Sequence, residues 1–290
     1  MHNGYIRQID TFPVSPLLAE HVMRSILNFE DTLPRLKQLV EIDFTMAVEV
    51  LKHANSPFFG IRRKVATIKK AFSVLGTSEI KQLALTKIMF HTAGIREGSD
   101  IILFLKHSYY CALVAQEIAQ SLPISLDKDE FFAAGLIHDI GKLGLDLSHG
   151  AESSHREIDA FSTPKRLGEE FTIFNICHDR LGMQLLNKWT FPSSLVIAVG
   201  FHHTPAEAPD QRVFPLIVFI ANIIAHIYEC EQSSRNSERS LLEEILMAPK
   251  ICKIAEEEKI ELRHSNLEIW LDRLKSIIIN QPEISSLFSS

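Results

Sequence analysis

Apolar residues along this chain recur at intervals of three and four rather than two, over long stretches unbroken by glycine or proline. The segments "LLAEHVMRSILNF" (17–29), "PRLKQLVEI" (34–42) and "TMAVEVLKHA" (45–54) each carry one apolar stripe, which predicts three short amphipathic helices. A pair over 67–75 and 78–90 follows, with Gly76 as the stop of the first and Ser78 as the N-cap of the second. Further helices are predicted over 101–120, 129–144, 168–189, 193–203 and 213–230. Pro192 stands at the join of two of them, where it can open a helix but not continue one. The polar run "EQSSRNSERS" (231–240) predicts a loop, and "LLEEILMAPKICKIAEEEKI" and "LEIWLDRLKSIII" predict C-terminal helices. The expected class is all-α, a helical bundle with an N-terminal lobe over 1–95, a core over 96–230 and a C-terminal helical extension over 231–290. No internal repeat or low-complexity tract is evident.

Composition adds few constraints. With 46% hydrophobic residues in 290, the chain can bury a large core. A net charge of −6 excludes a global pull towards nucleic acid or an anionic membrane. "MHNGYIRQIDTFPVSP" lacks the features of a secretory leader, and no run reads as the roughly 18 apolar residues of a membrane span, so a cytoplasmic, membrane-free protein is expected. Cys111, Cys177, Cys230 and Cys252 are widely spaced without a CxxC pair, which reads as core packing rather than a disulfide framework or structural zinc. "IRRKVATIKK" places Arg62, Arg63, Lys64, Lys69 and Lys70 within ten residues. Such a run can track phosphates, but in an acidic chain the reading preferred is a solvated face, with nucleic acid not expected as a partner.

The chemistry sits on apolar faces. His107 aligns with Cys111, Val114, Ala115 and Ile118, and His178 with Leu181, Gly182, Leu185 and Trp189, so both point inward. "AAGLIHDIGKLGL" carries His138, Asp139 and Lys142 in an otherwise aliphatic run, and a buried carboxylate there demands a partner or a metal. "AVGFHHTP" supplies His202 and His203, and "PLIVFIANIIAHIY" holds one amide, Asn222. Two readings stay open from the residues alone. One is a set of hydrogen-bonded core histidines. The other is a metal site built from facing helices, since imidazole and carboxylate are the ligands that borderline divalent metals prefer.

These residues resemble the HD superfamily of metal-dependent phosphohydrolases, whose signature is a histidine, a later His-Asp pair and a final aspartate. The matching positions are His107, His138 with Asp139, and Asn222, while His178, His202 and His203 resemble the extra histidines of the HD-GYP branch. "LKHANSPFFGIRRKVATIKKAFSVLGTSEIKQLAL", "FFAAGLIHDIGKL", "NKWTFP" and "FHHTP" narrow the resemblance to the HDOD domain, an HD-related output domain of bacterial signalling proteins, over roughly residues 10–230.

The resemblance implies an HD-type helical core with a divalent metal (Fe, Mn, Ni or Zn), up to two ions. His107, His138, Asp139, His178, His202, His203 and Asn222 would be the ligands. Asp139 would bind or bridge the ions, and Lys142 would be the lysine of the HDxxK pattern, so these two would carry the chemistry. Two departures stand out: Asn222 replaces an aspartate with a neutral amide, and "TPAEAPD" after His203 lacks the Gly-Tyr-Pro segment of cyclic-di-GMP phosphodiesterases, so that activity is not expected. The expected role is signalling regulation with a partly degenerate metal site and phosphohydrolase chemistry. The alternative is a catalytically silent interaction module in which a Lys142–Asp139 salt bridge replaces the metal. Expected partners are signalling proteins, a phosphorylated small molecule or nucleotide, or a second copy of the chain.

Overall fold

The computed structural model describes residues 33–91, 99–122, 126–149, 164–233 and 236–281. The helix expected over 17–29 lies outside them. Among the described residues there are thirteen α-helices and no strand. They are α1 (Leu33–Ile42), α2 (Phe44–Ala54), α3 (Ile68–His91), α4 (Ser99–Ser121), α5 (Lys128–Ile137), α6 (Ile140–His149), α7 (Pro164–Phe174), α8 (His178–Lys188), α9 (Ser193–Phe201), α10 (Val213–Gln232), α11 (Asn236–Leu246), α12 (Pro249–Glu257) and α13 (His264–Asn280).

Local chemistry sets several boundaries. Asp43 caps α2, its Oδ1 accepting the Thr45 and Met46 N–H groups at 2.8 and 3.0 Å. Beyond α2, Asn55 staples the loop to Val65: its amide donates to the Leu51 and Val65 carbonyls, and its Oδ1 accepts the Val65 N–H, each at 2.8 Å. Gly76, at φ 75° and ψ 163°, breaks α3 into two helical halves, a backbone state that an L side chain would strain.

Three boundaries differ from the sequence expectation. The helix predicted over 129–144 is two, because the chain turns at His138 and Asp139 between α5 and α6. The helix predicted over 168–189 is also two, separated where Asn175 adopts a left-handed φ of 56°, which asparagine tolerates better than most residues. Residues 231–240 are not one loop, since α10 runs on to Gln232 and α11 starts at Asn236.

A continuous apolar core runs from Leu36 to Leu274. At its centre α4 packs along α5 and α10, α6 and α9 flank α8, and α13 covers α4. Phe131 stacks on Phe214 with centroids 4.3 Å apart, joining α5 to α10, and Phe44 meets Phe104 edge-on at 5.0 Å, joining α2 to α4. Phe44, Phe104 and Phe131 are fully buried, each contributing roughly 1.5–3 kcal/mol of transfer free energy. Helix α10 is apolar and long enough by composition to cross a membrane, contrary to the expectation that no such run exists. Its most apolar window is 89% buried within the protein, as befits a central core helix. Cys111 and Cys230 are buried and Cys177 and Cys252 half-buried, and none forms a disulfide.

Two glycines set the distances on which the site depends. A Cβ at Gly135 would lie 2.8 Å from the Ala112 Cα and 2.9 Å from the Cys111 carbonyl oxygen, so α5 can lie directly on α4. A Cβ at Gly141 would lie 1.9 Å from the His178 carbonyl oxygen, so α6 meets the first turn of α8 backbone to backbone. His107 and His138 are thereby drawn together, and Asp139 is brought against His178.

Candidate metal centre

His138 and Asp139 occupy the turn between α5 and α6, where the helical ladder pauses and both side chains point into the core. Around the Asp139 carboxylate stand Lys142 Nζ at 2.6 Å and His138 Nε2 at 3.3 Å on Oδ2, and His178 Nε2 at 3.1 Å and His202 Nε2 at 3.5 Å on Oδ1. His203 Nε2 lies 3.0 Å from His178 Nε2, which is 3.4 Å from His202 Nε2. His107 faces His138 from α4, with ring centroids 5.5 Å apart. His107, His138, Asp139, Lys142, His178 and His202 are buried, whereas His203 is half-buried. Six of the seven ligand positions read from the sequence thus meet in one polar pocket, with Lys142 beside them.

The direction of each imidazole is fixed from behind. His138 donates its Nδ1–H to the Gly135 carbonyl at 2.8 Å, and His202 donates to the Val199 carbonyl at 2.7 Å. With Nδ1 so engaged, Nε2 carries a lone pair, and both Nε2 atoms face Asp139. Burial pulls the His138 pKa down to about 4, which keeps that nitrogen bare at neutral pH. His203 is likewise held neutral, first by burial and then by the neighbouring His202 and His178.

His178 is anchored by Glu170 of α7, whose Oε2 accepts both the His178 backbone N–H at 2.9 Å and the ring Nδ1–H at 2.8 Å. One carboxylate therefore caps α8 and orients its first side chain. A proton on His178 is one positive charge that can sit here: burial opposes it, but hydrogen bonds to Asp139 and Glu170 push the pKa up to about 9. A metal ion competes for the same lone pair. Burial also works against ionisation of Asp139, yet the facing His138 and Lys142 hold its carboxyl well below the usual range.

The donor set fits a divalent ion. Two ligands about 2.1 Å from one tetrahedral ion stand about 3.4 Å apart. The spacings among Asp139 Oδ1, His178 Nε2, His202 Nε2 and His203 Nε2 run from 3.0 to 3.5 Å where they are shortest. A protonated His178 can donate its Nε2–H to Asp139 Oδ1, but His138, whose Nδ1–H is committed to the Gly135 carbonyl, has only a lone pair to turn towards Oδ2. Two further buried atoms, His107 Nε2 facing His138 and Asn222 Oδ1 on α10, have no hydrogen-bond partner among the described residues. The sets Asp139–His178–His202–His203 and His107–His138–Asp139 each bring one donor atom per residue within 4.8 Å of the others.

The HDOD domain family model matches residues 12–205. The chain belongs to the HDOD family. An uncharacterised protein of Treponema pallidum is 22% identical over 242 residues, covering 81% of this chain and 46% of its own length. Ribonuclease Y of Pseudothermotoga lettingae is 31% identical over 177 residues, covering 61% of this chain and 31% of its own length. The chain thus spans less than half of either curated relative. Among solved structures, the MmoQ response regulator of Methylococcus capsulatus aligns with a TM-score of 0.68 at 22% identity, covering 91% of this chain and 98% of that one. A virulence factor of Campylobacter jejuni aligns with a TM-score of 0.65 at 17% identity, covering 92% and 93%. These likenesses bear on the fold alone.

The HDOD match ends before α10, so what α10 brings to the pocket lies outside it. His226 and Glu229 were not singled out in the sequence, although Asn222, His226 and Glu229 follow at offsets of four and three on one helical face. Glu229 Oε1 accepts from His107 Nδ1 and Oε2 from His226 Nδ1, both at 3.1 Å. Glu170, also missed, lies across a helix break from the histidine it orients, where no periodicity connects the two.

Proposed function

We propose that this HDOD protein is a signalling regulator whose helical core holds divalent metal and retains phosphohydrolase chemistry. The observation that carries this reading is the convergence of the His138, His178 and His202 Nε2 atoms on Asp139, with each Nδ1 bound from behind by a carbonyl or carboxylate. His138, Asp139, His178, His202 and His203 would hold the ions, with His107 and Asn222 at the α10 side. Metal bound there would supply Lewis acidity, giving a nucleophilic water at neutral pH and neutralising charge on phosphoryl oxygens.

The chain's own residues do the rest. Lys142 fixes Asp139 Oδ2 and leaves Oδ1 turned to His178 and His202, and its ammonium adds positive charge where a phosphate would bind. Among the imidazoles around Asp139, His203 is the more solvent-accessible, so an entering phosphoryl group meets it first. The substrate class supported is a phosphodiester or phosphomonoester of a small molecule or nucleotide. That a relative is a ribonuclease, an enzyme cleaving phosphodiesters, supports the reaction type. Membership of the HDOD family, which the sequence resemblance ties to output domains of signalling proteins, supports the signalling role.

A second reading rests on the Lys142–Asp139 pair itself, buried at 2.6 Å. A lysine can compensate the carboxylate without metal, leaving an interaction module with a polar core. Metal analysis of the purified protein, followed by hydrolysis of bis(p-nitrophenyl) phosphate with and without added Mn2+, separates the two. At least one equivalent of metal with Mn2+-dependent turnover supports the enzyme. Metal well below one equivalent with no turnover leaves the module.

A further inference from the structure

At the α10 side of the pocket, His226 and Glu229 form an arrangement that the resemblance does not supply. The His107 and His226 rings stack with centroids 4.2 Å apart and an interplanar angle of 23°. Both present Nδ1 to the two oxygens of one carboxylate, Glu229. Both Nε2 atoms must then lie on the far side of the rings from Glu229. For His107 that is the side of His138 and Asp139, with which it shares a 4.8 Å donor set. Burial opposes charge on Glu229, but His107 and His226 hold its carboxyl well below the usual range, so it remains an anion behind the two rings. Burial and the neighbouring His107 pull the His226 pKa down to about 4.

The same helix face carries Asn222 one turn earlier, where the resemblance expects an aspartate. Asn222 is buried and its Oδ1 has no hydrogen-bond partner among the described residues. A second ion bound by His107, His138 and Asp139 would therefore face a neutral amide at that position. We propose that His226 takes over the lost aspartate's place as a ligand of this second ion, with Glu229 supplying the missing negative charge through the two imidazoles it orients.

The substitution balances chemically. An aspartate gives one anionic oxygen directly, whereas the His226–Glu229 pair gives a neutral nitrogen backed by an anion one ring away. Carboxylate–histidine pairs of this kind raise the basicity of the ligating nitrogen, and losing the carboxylate typically costs about 10- to 100-fold in metal affinity.

This inference rests on the metal-centre reading above, and Mn2+ titration of the EDTA-stripped full-length protein by calorimetry tests the two separately. Wild type is expected to take up two equivalents. His226→Ala should lose the weaker equivalent or bind it at least about tenfold less tightly, and Glu229→Gln should weaken that same step by about 10- to 100-fold. The double variant His226→Ala with Asn222→Asp should recover it, a rescue that a merely structural role for His226 would not produce. Thermal melts of each stripped variant check folding, and the Glu229→Gln arm preserves the test where the His226→Ala chain does not fold. Wild type binding no Mn2+ would overturn the metal centre and this inference together. Two equivalents with wild-type affinity in His226→Ala, or no rescue by Asn222→Asp, would overturn the inference and leave the centre standing.

Discussion

The two ends of the histidine cluster place their acids differently. At the α8 end, the Asp139 carboxylate stands among the imidazoles, 3.1 Å from His178 and 3.5 Å from His202. At the α10 end, the Glu229 carboxylate stands behind them, touching the Nδ1 atoms of His107 and His226. Asp139 serves both ends, but an ion among His178 and His202 meets Oδ1. One beside His138 must share Oδ2 with the Lys142 ammonium 2.6 Å away and feels Glu229 only across a ring, so the Coulomb attraction is weaker there. The α8 end should therefore hold its ion the more tightly, and chelation should strip the α10 end first.

Asp139 is the residue common to both ends, and removing it should have the largest effect. Asp139→Ala leaves Lys142 buried without its 2.6 Å partner, which should cost about 3–5 kcal/mol of stability. It should also abolish binding at both ends. Denaturant unfolding and metal analysis of the variant check this, and retention of one full equivalent would show that the ends do not share the acid.

Gly141→Ala comes next. The new methyl would need the space of the His178 carbonyl oxygen, so α6 and α8 must separate, at a cost of about 3 kcal/mol or more. Separation pulls Asp139 from His178 and His202 and leaves the His107–His226–Glu229 group, which is held by α4 and α10, in place. Metal binding should thus fail at the α8 end with the α10 residues still assembled. An unchanged melting temperature would contradict the backbone-to-backbone contact.

Glu170→Gln tests the outer carboxylate of the α8 end, as Glu229→Gln tests that of the other. The amide keeps the size but loses the charge that fixes the His178 ring through Nδ1. The tighter Mn2+ equivalent should weaken by about 10- to 100-fold, with the weaker one unaffected. Titration showing both steps moved alike would dissolve the distinction between the ends.

The two regions also differ in how far the sequence discloses them. The α8 end was legible because its candidate ligands are histidines on the apolar faces of several helices together. Its helix boundaries were less so. The turn at His138–Asp139 and the left-handed Asn175 interrupt runs whose apolar periodicity passes straight through, since periodicity reports which face is buried and not whether the backbone ladder is unbroken. Glu170 escaped because its partner lies beyond that interruption. His226 and Glu229 stand at helical spacing from Asn222, but a lone histidine in an aliphatic run and an acid near the helix end match ordinary core and surface positions equally well. The close contacts at Gly135 and Gly141 are tertiary, and no local signal separates a packing glycine from an ordinary one.

The smallest effect, and the one that most sharpens the comparison, is expected of Asn222→Asp in the otherwise unchanged chain. Aspartate restores an acid on α10 at a buried position, where the Asn222 Oδ1 has no partner among the described residues. A carboxylate buried there is costly without a cation, so the stripped variant should be less stable than wild type by about 1–3 kcal/mol. In the presence of Mn2+ the sign should reverse, because the ion converts the same charge into a ligand. The weaker equivalent should bind about tenfold more tightly, narrowing the gap between the two ends. Thermal melts with and without Mn2+ give the readout: a stability loss that metal does not repair would mean that position 222 faces away from any ion, and that the second end is built by His107, His226 and Glu229 without it.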